Sequence, residues 1–150
     1  MGSEVSRDVR RELANESFES TWRLVERPSR SADEDASMIH AAHASCLLWE
    51  QVGDTVRVCR AEWLCSRAYA VLGRAGAATY HAERTLELCE RHGPGDVDLA
   101  YAYEALARAH RLSGRVDEAS EALRMARTIG SRIADAGERE MFESDLADLL

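Results

Sequence analysis

Lysine is absent from this 150-residue sequence, and all 19 of its basic residues are arginine. Enzymes that hold a substrate or cofactor as a lysine Schiff base are therefore excluded, including ordinary pyridoxal-phosphate enzymes and class I aldolases. A P-loop is excluded as well, because the lysine of that loop contacts the nucleotide phosphates. Side-chain amides are scarce too, since Asn15 and Gln51 are the only two. This composition, with its abundant alanine, is typical of a bacterial genome of high G+C content.

Long apolar segments are also missing. No stretch approaches the roughly 20 apolar residues that a membrane-spanning helix requires. The N-terminal segment MGSEVSRDVRRE is polar and charged, unlike the apolar centre of a signal peptide. It fits the pattern for N-myristoylation through Gly2 and Ser6, but that short pattern has no meaning in a bacterium. We therefore expect a cytoplasmic protein that does not bind a membrane.

Basic charge is not clustered in the sequence, whose net charge is −8. Residues 1–37 carry nine acidic residues against six arginines, and residues 134–150 carry six against one. The middle of the chain, residues 38–133, carries twelve of each. Because a nucleic-acid-binding surface requires a clustered basic excess, we expect no nucleic-acid partner.

The cysteines do not form a recognisable metal or disulfide pattern. No two of them lie two residues apart, and all lie in apolar helical patterns: Cys46, Cys59, Cys65 and Cys89. We expect small buried thiols, because a disulfide framework is unusual in a helical chain of this size.

Four glycines divide the middle of the chain into segments of similar length. Gly53, Gly73, Gly93 and Gly114 are separated by 20, 20 and 21 residues. The sequence between these glycines is rich in Ala, Leu, Arg and Glu, which predicts helices. Glycine itself is typical of a helix C-terminus. We predict an all-α fold whose seven helices span about 4–26, 32–52, 55–72, 75–92, 96–113, 116–131 and 136–149.

Polar residues predict where several of these helices begin. Ser31 and Glu34 form a capping box for the second helix. Asp54 or Thr55 is expected to cap the third helix, and Asp96 the fifth.

The sequence repeats itself at an interval of 41 residues. The superposed pairs are Tyr69 with His110, Gly73 with Gly114, Ala78 with Ala119, Ala82 with Leu123, and Thr85 with Ala126. A period of this size indicates stacked helical hairpins, each too small to bury its apolar face alone. Small residues such as Ala78 and Ala119 are expected to let the two helices of a hairpin approach closely.

The segment YEALARAHRLSGRVDEASEALRMA resembles a tetratricopeptide repeat through Tyr103, the pair Leu106–Ala107 and Gly114. AYAVLGRAGAATYHAERTLEL resembles a second, weaker copy, and residues 35–131 resemble the family as a whole, including bacterial members that supply no activity. The resemblance implies an α-solenoid of about seven antiparallel helices, with three hairpins and a C-terminal capping helix. We expect one domain over 1–150, comprising an N-terminal helix and linker (1–31), the repeats (32–131) and an acidic cap (132–150).

In this family the first helix of each hairpin lines a concave groove. The third and fifth helices would present arginines and aromatic residues there, with one more arginine a turn further. These candidate binding residues are Arg60, Trp63, Arg67, Tyr101, Glu104, Arg108 and Arg111. Arginine recognises carboxylates and phosphates through paired hydrogen bonds, and aromatic rings add stacking area. We therefore predict a non-catalytic binding or adaptor module for a protein or peptide that carries an anionic group.

Three alternatives stay open for the groove. The arginines are equally explained as solvated side chains whose stems cover apolar surface. A small-molecule sensor or regulatory subunit would hold an anionic or aromatic ligand, and an enzyme would use Glu62, Glu104 and His43 as acid–base groups. Both would need a closed pocket in which the first and last helices approach the arginines, whereas a peptide scaffold needs an open groove. The family's well-known clamp on a C-terminal carboxylate uses lysine and asparagine, so it does not transfer to this chain.

Glu62 stands where the repeat packs an aromatic residue, Tyr103 in the other copy. Either the helix rotates so that Trp63 fills the position, which we favour, or a carboxylate is buried beside an arginine or histidine.

The second helix carries a possible metal site. His40, His43 and Cys46 are spaced for one helical face, with Glu50 one turn further, and these side chains are possible zinc ligands. Their alanine neighbours favour helix packing instead. We expect no bound metal and no cofactor.

Overall fold

The structure, a computed structural model, describes residues 4–149. The first three residues, including Gly2 of the myristoylation pattern, therefore lie outside the described residues. The helices are α1 (Arg7–Val25), α2 (Ala32–Val52), α3 (Thr55–Val71), α4 (Ala75–His92), α5 (Asp96–Leu112), α6 (Val116–Gly130) and α7 (Ala136–Ala147). Residues 4–149 contain no strand. The predicted all-α fold of seven helices is confirmed.

Local side chains account for most of the helix boundaries. The Ser31 hydroxyl accepts a hydrogen bond from the Glu34 backbone N–H at 3.1 Å, and Asp54 accepts one from the third residue after it at 3.0 Å. Gly53 ends α2 with a φ of 84°, a left-handed conformation that glycine adopts without strain. The predicted cap Asp96 is wrong by one residue. Gly95 is the N-cap, with a φ of 125° that an aspartate would rarely adopt, and Asp96 begins the helix.

Each helix packs against the next one in the chain, from α1 through to α7. The first helices of successive hairpins are also neighbours, since α3 contacts both α1 and α5, and α7 contacts α5 as well as α6. Two clusters of buried apolar side chains form the core, and they meet at Trp63, Leu86 and Leu99. In the part of the chain described here, no helix combines the length and apolar character needed to cross a membrane.

The two copies of the repeat are packed to different degrees. Ala78 is fully buried where α3 and α4 meet. Its counterpart Ala119 is partly exposed and lines a surface depression of about 330 Å³ between α5 and α6. The expectation that Ala119 would be packed tightly is therefore wrong. The α3–α4 hairpin is enclosed by helices on both sides, whereas the α5–α6 hairpin is followed only by the short α7.

Candidate functional site

The candidate site is the groove floored by α3 and α5, which we call the central groove. Helical periodicity places one face of each floor helix toward this groove, and α1 and α7 form its two walls. All seven predicted binding residues lie along it. The backbones of α1 and α7 do not contact each other within residues 4–149, so the groove stays open between its walls.

The middle of the groove holds a cavity of about 370 Å³, the aromatic pocket. A row of rings runs along it from wall to wall. The ring centroids are 5.6 Å apart for Trp22 and Trp63, 5.5 Å for Trp63 and Tyr101, and 5.0 Å for Tyr101 and Phe142. Phe142 is buried behind Tyr101 and does not line the pocket, whose lining besides Trp22, Trp63 and Tyr101 consists of Phe18, Cys59, Arg60, Thr85, Val97, Asp98, Glu138, Met141 and Asp145. The pocket is therefore mostly apolar, with charged groups among its lining residues.

Glu104 is a buried carboxylate in the floor of the groove, with 1% of its surface exposed. It accepts hydrogen bonds from the Trp63 indole at 3.3 Å and from Arg108, whose Nε lies at 3.0 Å and whose Nη2 lies at 2.5 Å. Arg67 Nη1 lies 3.8 Å from the same carboxylate. These partners offset the cost of burying the charge. The guanidinium of Arg108 is thus partly neutralised inside the protein.

Arg67 is a largely buried arginine of the groove whose guanidinium lacks a hydrogen bond at one nitrogen in the described residues. Its side chain is 19% exposed, and its Nε is buried without a hydrogen-bond partner in the described residues. Burial lowers the pKa of its guanidinium, and the neighbouring Arg108 lowers it further. Its guanidinium carbon lies 5.9 Å from the centre of the Trp22 ring. Arg67 can therefore donate hydrogen bonds to an incoming anionic or carbonyl group.

Two further polar contacts border the aromatic pocket. Arg60 donates two hydrogen bonds to Asp98, at 2.9 Å and 3.2 Å, and this contact raises the pKa of Arg60. The Tyr101 hydroxyl donates to Asp145 of α7 at 2.6 Å. Burial raises the pKa of Tyr101, and the hydrogen bond to Asp145 raises it further. The second contact ties the floor of the groove to its C-terminal wall.

Beyond the aromatic pocket, the groove widens into an arginine depression of about 610 Å³. Its lining side chains are Arg67, Ala70, Val71, Arg108, Arg111, Leu112, Asp148 and Leu149. A small cavity of about 30 Å³ lies between the depression and the pocket, and its lining includes Trp63 and Tyr101 of the pocket and Arg67 and Arg108 of the depression. Arg111 is exposed. The groove is thus apolar in its middle and cationic at one end.

A second polar cluster lies on the other side of α3, against α2 and α4. Glu62 is buried, with 8% exposure, and its carboxylate is 2.6 Å from His81 Nδ1. The Tyr69 ring stacks on His81 with centroids 5.5 Å apart, and the Tyr69 hydroxyl lies 2.8 Å from His43 Nε2. Burial lowers the pKa of His43, and nearby His81 lowers it further.

This cluster corrects the interpretation of Glu62 that we favoured from the sequence. Trp63 does not replace it in the packing position, because that indole packs in the groove against Trp22 and Tyr101. The buried carboxylate has a histidine partner instead, as the alternative required. The candidate acid–base groups therefore lie in two clusters, with Glu62 and His43 on one side of α3 and Glu104 in the groove.

The predicted zinc ligands do not converge. Cys46 Sγ lies 3.4 Å from Cys65 Sγ, while His43 bonds to Tyr69. Within residues 4–149, no three His, Cys, Asp or Glu side chains are arranged to hold a metal ion. His40 is exposed at the surface of α2. Of the three candidate ligands, His43 and Cys46 thus contact α3, whereas His40 faces the surface.

Sequence reasoning missed the side chains that make the walls of the site. Trp22 and Phe18 were visible as aromatic residues on the apolar stripe of α1, but nothing placed that stripe against the groove. Asp98, Asp145 and Phe142 gave no local signal. Their partners lie about 40 residues away in the chain, at separations of 38 for Asp98 and 44 for Asp145.

Comparison with known proteins bears on the repeats directly. The sequence model of the family described as "Tetratricopeptide repeat" matches residues 48–131. The match covers more than half of the chain and spans α3 to α6. No curated protein matches the chain, and no solved structure does.

Proposed function

Because this chain belongs to the tetratricopeptide repeat family, whose repeats generally mediate protein–protein interaction, we propose that it is a non-catalytic adaptor module. Its partner would be an extended protein segment held in the central groove. This segment would place an aromatic or large apolar side chain in the aromatic pocket and an acidic group over the arginine depression.

The aromatic pocket supports the apolar part of this proposal. The rings of Trp22, Trp63 and Tyr101 offer large, rigid contact surfaces, and such residues dominate binding energy at protein interfaces. Met141 is 66% exposed beside them, so a ligand would cover apolar surface that now faces water.

The arginine depression supports the acidic part. Arg67 lines the depression with 19% of its side chain exposed, and Arg111 is exposed, so both can donate to a carboxylate or phosphate. Tyr101 and Arg111 are ten residues apart on α5, which is about 15 Å along a helix. An extended peptide of about four or five residues spans this length. The position of the pocket and the depression side by side along α3 and α5 is the observation that carries the proposal.

A small anionic or aromatic ligand is the second candidate, in a sensor or regulatory subunit. One observation favours it. Trp22 of α1 lies near Arg67, and Asp145 of α7 bonds Tyr101, so both outer helices approach the arginines as a ligand pocket requires. The gap between α1 and α7 favours a peptide over a fully enclosed ligand.

A peptide selection tests the proposal. A displayed random peptide library would be selected on the wild-type protein and on the Phe18→Ala and Arg111→Ala variants. Arg124→Ala is the matched control, because Arg124 is an exposed arginine of α6 that lines neither part of the groove. We expect enriched peptides to combine an aromatic and an acidic residue. Their affinity should fall about tenfold or more in Phe18→Ala, which removes an aromatic contact of the pocket. It should fall less in Arg111→Ala, because an ion pair of an exposed arginine contributes about 0–1 kcal/mol.

Equal binding to all variants would overturn the proposal. Native mass spectrometry of the purified protein separates the second candidate, because a retained small molecule, displaced in Phe18→Ala, would indicate a ligand site instead of a peptide groove.

We also propose the cytoplasm as the compartment. Four free cysteines, all buried, support a reducing environment.

A further inference from the structure

All four cysteines meet in two pairs across helix interfaces. Cys59 of α3 and Cys89 of α4 have their sulfur atoms 3.1 Å apart, and Cys46 of α2 and Cys65 of α3 have theirs 3.4 Å apart. The partners are 30 and 19 positions apart in the chain, and all four are free thiols. In both pairs the distance between the sulfur atoms is about 1 Å or more longer than the S–S bond of a disulfide, which is about 2.05 Å.

The two pairs differ in their position relative to the aromatic pocket. All four cysteines are buried, and Cys59 is only 2% exposed, but Cys59 lines the aromatic pocket together with Thr85. Cys46 and Cys65 lie between α2 and α3, and neither lines the pocket. Of the two dithiols, only the pair of Cys59 and Cys89 borders this cavity.

Neighbouring groups shift the pKa values of Cys59 and Cys89 in opposite directions. A hydrogen bond from Cys89 lowers the pKa of Cys59 and outweighs burial and the nearby Asp98, which raise it, while Arg60 lowers it further. The same contact and burial raise the pKa of Cys89. Thiolates, not thiols, attack oxidants. In the other pair, the hydrogen bond with Cys65 and burial raise the pKa of Cys46, which keeps that thiol protonated.

We propose that Cys59 and Cys89 form a peroxide-sensitive dithiol, which hydrogen peroxide entering through the aromatic pocket converts into a disulfide between α3 and α4. This modification site does not rest on the partner proposed for the groove, although a partner side chain in the aromatic pocket would cover Cys59.

The reaction proceeds in two steps. The Cys59 thiolate attacks one peroxide oxygen, the O–O bond breaks, and hydroxide leaves and is protonated to water, giving a sulfenic acid. The Cys89 sulfur then attacks the Cys59 sulfur and forms the S–S bond as the C–S–OH oxygen leaves. That oxygen departs as a second water with the proton of Cys89. The two sulfur atoms lose two electrons in all, and peroxide is reduced to two waters.

Peptide mapping of the folded wild-type protein tests this site. The protein would be treated with one equivalent of hydrogen peroxide, its free thiols alkylated, and the chain cut after arginine with trypsin. The cysteines then fall on four separate peptides: 31–57, 58–60, 61–67 and 85–91. We expect 58–60 linked to 85–91, with the link reversed by dithiothreitol.

Variants test which cysteines form the link and whether peroxide enters through the aromatic pocket. Replacing both Cys46 and Cys65 by alanine should leave the link in place, whereas Cys89→Ser should stop at a sulfenic or more oxidised Cys59. Met141→Trp, at the aromatic pocket, should slow the linkage several-fold. The control is Val116→Trp, which adds the same ring beside the separate depression between α5 and α6.

Three outcomes would overturn the proposal: a link between 31–57 and 61–67, a mixture of all pairings, or no link after excess peroxide. The first two would show that access does not come through the aromatic pocket. Because the map uses the wild-type protein, the test does not depend on any variant folding.

Discussion

The first helix of each hairpin in the matched repeats buries one glutamate, but the two glutamates face opposite ways. Glu62 of α3 faces α4 and bonds His81, whereas Glu104 of α5 faces the groove and bonds Arg108. In the 41-residue superposition, Glu104 corresponds to Trp63, one position after Glu62. One residue turns the side chain by about 100° around a helix. The position within the repeat therefore decides whether a carboxylate is held by the core or belongs to the binding surface.

The hairpins also differ in how firmly their helices are held. Ala78 in the inner hairpin is fully buried, while Ala119 in the outer hairpin borders an open depression. The inner hairpin combines tight packing with a histidine–carboxylate pair and one dithiol between its two helices. The outer hairpin holds its buried carboxylate, Glu104, in the groove.

The largest effect is expected at the groove carboxylate. Arg108→Ala removes the two hydrogen bonds that hold Glu104, which is 1% exposed, and should lower the free energy of unfolding by about 3 kcal/mol. Arg67 at 3.8 Å limits the loss. From the sequence we would expect such a variant to affect binding alone, and the burial of Glu104 changes that expectation. Chemical denaturation measures the difference.

Arg124→Ala is the matched control for that variant. It removes an exposed arginine paired with exposed Glu121, so its stability should equal that of the wild type. If both variants unfold at the same denaturant concentration, Glu104 does not depend on Arg108, and the contrast between the two glutamates fails.

A smaller difference in stability is expected between leucine substitutions at Ala78 and at Ala119, which are equivalent positions in the two copies of the repeat. Ala78→Leu adds three carbon atoms to a fully packed contact and should cost about 1–3 kcal/mol. Ala119→Leu places the same atoms in a depression of about 330 Å³ and should change stability little. Thermal melting of both variants gives the comparison. Equal losses would mean that the outer hairpin is packed as tightly as the inner one.

The smallest effect concerns the pH dependence contributed by His43. His43 is an exposed residue, and the partial burial of its ring, with His81 and His40, lowers its pKa in the folded protein below the ordinary 6.5 by more than Glu62 raises it. The unfolded chain therefore takes up a proton first as the pH falls. The contribution of His43 to stability is complete above about pH 6.5 and is lost toward the lower folded-state pKa.

Denaturation at about pH 7.5 and about pH 5.5 checks this sign. His43→Gln should lose less stability over that interval than the wild type. His92→Gln, which changes an exposed histidine at the end of α4, should behave as the wild type does. An unchanged slope in His43→Gln would place the acid sensitivity elsewhere.

Much of the candidate site could be predicted because its floor repeats. The 41-residue superposition placed Trp63 beside Glu104 and Arg67 beside Arg108, and the structure brings these residues together in the groove. The walls were not predictable. Trp22 and Asp145 belong to α1 and α7, which lie outside the matched residues 48–131. No period in the sequence relates them to the floor.

The sequence by itself determined the helices and the groove face, because both depend on information within a few turns of chain. Gly53 and Asp54 end one helix and cap the next through their own backbone and side chain, and the spacing of apolar residues selects the buried face of each helix. Only the tertiary structure decided the pairings between helices. His81 for Glu62 and Cys89 for Cys59 depend on how far α4 is rotated and shifted against α3. That rotation results from the packing of the whole stack, which no single segment encodes.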